Sequence, residues 1–210
     1  MEFNTDLARF VIPIYSLDDK QEKYFNGTGF IVGDYLITAG HVSYNEGGLF
    51  VIYDDCKYKL PRPIYEKYCS IEDGIKHDLS IYKVDFVTSP LTLCTTEFAG
   101  KVQGELFGYS FNDVEMNLCV DREEVRINDF AYSYAYLRPL RLLNCYSYSP
   151  AIGKKGNSGC PVMNDKREVI GMLVCIAGQN KNAVEGILVK ATYIQEVINS
   201  LIRNNSITDE

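Results

Sequence analysis

The chain has 210 residues, a formal charge of −7 and a sequence pI of about 5.0, which gives length for a real core and argues against a nucleic-acid surface. Seven cysteines, an odd number with no Cys-x-x-Cys pair, argue against a disulfide framework and against the local spacing of a zinc site. No apolar run approaches membrane-spanning length, and the acidic start Met1-Glu2-Phe3-Asn4-Thr5-Asp6 lacks the pattern of a secretory leader, so the reading is of reduced thiols in the cytoplasm with no membrane partner.

Short apolar or alternating runs recur along the chain with turn residues between them. Strands are predicted over 10–15, 28–32, 35–38, 49–53 and 79–84. After a looser stretch near 88–100 they resume over 105–109, 116–120, 140–148, 169–176 and 186–191. The last element is predicted as a helix over about 192–204, with Thr192 as cap, Gln195 at capping-box spacing, and one apolar stripe of Ile194, Val197, Ile198, Leu201 and Ile202. The pattern is all-β, of sandwich or barrel type, with a closing helix that packs on the body.

Against this background one stretch fits no regular element: Gly156-Asn157-Ser158-Gly159-Cys160-Pro161. Glycine and proline around a serine suit a tight turn that presents a hydroxyl and backbone N–H groups to one point. Acyl transfer needs that arrangement, a nucleophile beside donors aimed at a developing oxyanion. A base must then come from one of two histidines. His41 ends the segment Thr38-Ala39-Gly40-His41-Val42, a strand running into a turn. His77 directly precedes Asp78 in His77-Asp78-Leu79-Ser80 and reads as a solvent-facing residue at a strand start.

Together these three segments resemble the trypsin-like, chymotrypsin-fold serine peptidases, and most of all their HtrA-type bacterial branch. That branch carries blocks such as Gly-Ser-Gly-Phe, Thr-x-x-His-Val, Asp-Leu-Ala and Gly-Asn-Ser-Gly-Gly-Pro, and the order His, Asp, Ser is the chymotrypsin order. Cys160 departs from the pattern, standing where the family has a second glycine. The resemblance implies two antiparallel six-stranded β-barrels with a C-terminal α-helix. The first, over 1–92, would carry His41 and Asp78; the second, over 93–210, would carry Ser158 and the helix, with no PDZ domain following.

The implied roles are Ser158 as nucleophile, His41 as base and Asp78 as the group that orients the ring. Asp73 and Asp85 compete with Asp78. Asp78 is preferred because Leu79, Ile81 and Val84 make it the entry to a half-buried strand, and because Asp-Leu-Ser matches the family block. The N–H groups of Gly156 and Ser158 would form the oxyanion hole. Asn157 stands where trypsin zymogens have an aspartate, so activation by a freed N-terminus is not expected. For substrate, the resemblance assigns Val174, Cys175 and Ile176 as the pairing edge, Ile152 as the base of the S1 pocket and Gly186 as its wall, with Lys154 and Lys155 at its mouth. A medium apolar P1 residue is favoured. The expected partner is a polypeptide substrate, with no cofactor or metal, and with control by expression, a regulatory protein or loop ordering. Two readings follow: an active serine endopeptidase, cellular or from a viral polyprotein, or an inactive trypsin-like module that binds a peptide or protein.

Overall fold

The computed structural model describes residues 5–18, 20–44, 48–134, 138–151, 153–179 and 182–207. A short helix α1 (Thr5–Ala8) leads into β1 (Val11–Leu17) and β2 (Lys23–Val32). Then β3 (Tyr35–Thr38) runs into the one-turn helix α2 (Gly40–Ser43), followed by β4 (Leu49–Tyr53), β5 (Cys56–Lys59), β6 (Tyr65–Glu72) and β7 (Ile75–Lys83). Two-residue loops set the hairpin registers. Asp54 and Asp55 join β4 to β5, and Asp73 and Gly74 join β6 to β7, all four at positive φ. Short acidic residues and glycine tolerate that conformation, whose twist matches the flanking strands.

These strands form one antiparallel sheet in the order β5-β4-β1-β2-β3-β7-β6. This corrects the expected six-stranded barrel: the sheet has seven strands, and among the described residues its edges β5 and β6 do not pair with each other. The cause is visible in the edge strands. β6 is bulged between Lys67 and Ser70, and both β5 and β6 are largely exposed. Polar, bulged edges give no apolar drive to close. Neither strand is among those predicted from periodicity.

The second half contains β8 (Lys101–Asn112), β9 (Asn117–Asn128), β10 (Ala131–Ser133), β11 (Leu140–Leu142), β12 (Cys145–Ser149), β13 (Pro161–Met163), β14 (Val169–Gln179) and β15 (Asn182–Lys190). Here the barrel closes, in the order β12-β15-β14-β13-β8-β9. Leu106, Ile127, Tyr148, Val162 and Leu188 belong to one buried cluster of its strands. The predicted strand over 140–148 is interrupted at Leu143 and Asn144, and the interruption has a structural use. Asn144 Nδ2 donates to the Lys76 carbonyl oxygen (2.8 Å) while its Oδ1 accepts from the Lys76 N–H (2.9 Å), so one side chain joins β7 to the start of β12.

The terminal helix α3 (Ala191–Ile207) buries Ile194 and Ile198 in the larger core, as its apolar stripe predicts. Thr192 is not its cap. It lies inside the first turn, with its hydroxyl 3.4 Å from Glu97 Oε1. Among the described residues, no helix is long and apolar enough to cross a membrane.

Candidate active site

His41 lies on α2, directly after β3. That one turn is pinned from below: Ser43 Oγ lies 2.7 Å from the Gly40 carbonyl oxygen, 2.8 Å from Glu66 Oε1 and 2.6 Å from Ser80 Oγ. A Cβ at position 40 would collide with the Lys67 carbonyl oxygen and stand 3.0 Å from the Leu79 nitrogen. Glycine there is what lets the histidine turn settle against β6 and β7.

Asp78 projects from β7 into this turn and is fully buried. Its Oδ1 accepts the His41 backbone N–H at 3.0 Å, and its two oxygens lie 3.1 and 3.0 Å from ring Nδ1. The ring keeps 31% of its side-chain surface exposed. The carboxylate therefore fixes both the backbone and the ring of His41, with the ring's other nitrogen left for an incoming group. Asp73 and Asp85 are exposed in the turns flanking the strand. His77 is largely buried rather than solvent-facing, with Nδ1 3.3 Å from Tyr193 Oη and Nε2 3.8 Å from Glu72. Alternation along β7 sends it to the opposite face from Asp78.

Ser158 enters from the barrel on the loop between β12 and β13 and is partly exposed. The loop is tied to the sheet by Thr28: its N–H donates to the Ser158 carbonyl oxygen (2.9 Å), and its Oγ1 donates to the Gly156 carbonyl oxygen (3.0 Å). Gly159 sits at φ +87, where a Cβ would collide with the Thr28 carbonyl oxygen and approach Thr38 Oγ1 to 2.6 Å. We predict that Gly159→Ala lowers stability by about 3 kcal/mol from backbone strain and overpacking together. Urea denaturation checks this; an unchanged midpoint would contradict the packing described.

The N–H groups of this loop divide into two sets. Lys154 N–H donates to Asn157 Oδ1 (2.7 Å), Asn157 N–H to the Lys154 carbonyl (3.0 Å), Gly159 N–H to Leu173 (2.7 Å) and Cys160 N–H to Asn157 (2.9 Å). Among the described residues, those of Lys155, Gly156 and Ser158 meet no acceptor. Two of these three are the expected oxyanion donors. The Ser158 hydroxyl makes no hydrogen bond to His41 among the described residues, an arrangement common before substrate tightens a site.

A second buried carboxylate holds the loop, and the sequence reading missed it. Asp121 of β9, 4% exposed, accepts from Asn157 Nδ2 at 2.8 Å and pairs with Lys154 Nζ. Burial opposes its charge, but hydrogen bonds from Lys154, Ser110 and Asn157 outweigh that, so its pKa is lowered. Asn157 Nδ2 also donates to the Tyr109 carbonyl at 3.0 Å. Cys160 is wholly buried, and burial pushes its thiol up to about 12, so it packs as a small apolar residue beside Gly108.

The expected substrate residues are dispersed in character. Beyond Leu173, β14 is paired with β15 on one side, while no described strand lies along its other edge, β13 beginning at Pro161 opposite Met172. Val174 is buried and Cys175 half-buried, the latter coupled electrostatically to Lys76 and Asp78; burial pushes its thiol up to about 11. Ile176 pairs with Gly186, whose missing side chain is replaced by the buried Tyr148 ring. Lys155 Nζ turns to Asp113 (3.2 Å). Ile152 lies outside the described residues.

No known family model matches the sequence, and no curated protein matches it. Solved structures do. The chain is similar to a mutant of the Rv3671c protease from M. tuberculosis in its inactive form, with a TM-score of 0.65 and 18% identity over 94% of this chain and 88% of that one. It is similar to the HtrA-type protease AlgW with a decapeptide, TM-score 0.70 and 17% identity over 95% of this chain and 66% of that one. The serine endoprotease from Yersinia pestis gives 0.64 and 15%, over 98% and 69%. At these identities the likeness establishes the fold, which is that of the trypsin-like, HtrA-type serine proteases.

Proposed function

We propose that this chain is a serine endopeptidase that cleaves peptide bonds through an acyl-enzyme, with Ser158, His41 and Asp78 as its triad. The observation that carries the reading is the buried Asp78 carboxylate bonded at once to the backbone and ring of His41. That grip serves a base whose Nε2 accepts the Ser158 Oγ proton as Oγ attacks the scissile carbonyl. Asp78 holds the Nδ1–H and stabilises the imidazolium. The unpaired N–H groups of Gly156 and Ser158 are suited to the oxyanion of the tetrahedral intermediate. His41 then returns the proton to the departing amine, and water repeats the cycle on the acyl-Ser158 ester. HtrA-type proteases with the same fold lend the reading support.

Substrate backbone would add to the free edge of β14 at Val174, Cys175 and Ile176. Gly186, backed by the Tyr148 ring, and Ile152, six residues before Ser158, make an apolar P1 residue the preferred one. A lysine or arginine at P1 would meet no counter-charge from these residues and lose its hydration. A peptide library should show cleavage after Val, Leu or Met, with size discrimination of about 1–3 kcal/mol per methylene. Dominant cleavage after Arg or Lys would overturn this assignment of the pocket. All seven cysteines are free thiols, which suits a reducing compartment such as the cytoplasm.

The direct test is a fluorophosphonate probe, which reacts only with an activated serine. Labelling of the wild type and its loss in Ser158→Ala are expected. A folded wild type that does not label would leave an inactive peptide-binding module as the reading.

A further inference from the structure

Asp78 must remain ionised while His41 is neutral, because only the neutral ring can take a proton. A fully buried carboxylate in that state carries a charge that a neutral imidazole does not cancel. Two residues earlier on the same face of β7 is a cation. Lys76 Nζ stands 4.0 Å from Asp78 Oδ2, and its side chain is only 7% exposed. The Asn144 clasp holds its backbone at both N–H and carbonyl, so the position is fixed from two sides.

The other groups facing this pair are thiols. Cys69 of β6 places Sγ 3.7 Å from Lys76 Nζ, and Cys145 of β12 and Cys175 of β14 lie close enough to couple with it. Burial pushes Cys175 up to about 11 and Cys145 further, so both are neutral at physiological pH. Glu66 of β6 meets the His41 turn at Ser43. Burial works against the Lys76 ammonium, and Asp78 is the carboxylate beside it that opposes that cost.

We propose that Lys76 is a positioning residue, the buried counter-ion of Asp78, which holds that carboxylate ionised and extends activity to lower pH by opposing a proton on His41. The proposal rests on the triad reading above. Its sign follows from charge alone: a fixed cation disfavours the imidazolium, so removing it lets the ring hold its proton to higher pH. The acid limb of the kcat/KM profile therefore moves up when Lys76 loses its charge.

The test compares the full-length wild type with Lys76→Met, Lys76→Gln and Lys76→Arg, each normalised by fluorophosphonate titration of active sites. Lys76→Met should move the acid limb up by about half to one pH unit, a three- to tenfold loss on that limb; Lys76→Gln should do the same if the Met variant does not fold. Lys76→Arg should restore the wild-type limb. NMR titration of the His41 ring in a Ser158→Ala background should show the same upward displacement without any turnover, which separates this proposal from the peptidase reading. An unmoved limb and unmoved ring signals in both neutral variants would overturn it. So would an equal displacement in Lys76→Arg, which would make shape and not charge the cause.

Discussion

Ser158→Ala should lower peptide turnover by about six orders of magnitude, the loss expected when triad members act as one unit. The fold should not change, because the loop is held by contacts that do not use the hydroxyl. Thr28 donates to the carbonyls of Ser158 and Gly156, and Asp121 grips Asn157 and Lys154. What remains should be the acceleration supplied by binding and the oxyanion donors, about a thousandfold or more over water. Steady-state hydrolysis of a cleaved peptide, with melting temperature as the control for folding, measures this. Retained turnover in a clean preparation would remove Ser158 from the nucleophile's role.

Asp78→Asn should fold and yet lose about four orders of magnitude in kcat. The reason lies in the two donors that converge on this side chain. The His41 backbone N–H points at Oδ1, so the amide oxygen of an asparagine is drawn to that position. Its NH2 then occupies the place of Oδ2, 3.0 Å from ring Nδ1. A donor there makes Nδ1 the acceptor and leaves the ring proton on Nε2, where it faces Ser158 and cannot take the hydroxyl proton. Asp73→Asn and Asp85→Asn, exposed at either end of β7, should stay near wild type. A crippling effect from either one would contradict the assignment of Asp78.

The proposed triad was legible as a pattern because each member lies in a short block whose residue types are constrained by local geometry. Gly159 had to lack a side chain to pass Thr28, and Gly40 had to lack one to pass Lys67. Asp121 was not legible. It lies in Asp121-Arg122-Glu123-Glu124, a run of charges that reads as a solvated hairpin. Its burial comes from register, since it stands opposite Gly108 of β8 and beneath a loop some thirty residues later, which no local period encodes. Lys76 escaped notice for a different reason. Period two does place it on the face of Asp78, but lysines are so seldom buried that residue type alone would assign it to solvent. The expected first barrel failed at β5 and β6, edge strands that are largely exposed and, among the described residues, do not pair with each other.

Asn144 has a consequence for how the molecule fails. Its carboxamide offers a donor and an acceptor to Lys76 as a neighbouring strand would, so it acts as a single rung between sheet and barrel. A rung of this type has no intermediate setting: it is engaged at one register or it is broken. Breaking it leaves β7 tied to this segment only by the neighbouring Leu143 N–H to Gly74 carbonyl bond among the described backbone bonds, two residues from the carboxylate that grips His41. Heat or denaturant should thus loosen this corner first, with activity lost before β-structure, while Thr28 and the shared core still hold the two halves together.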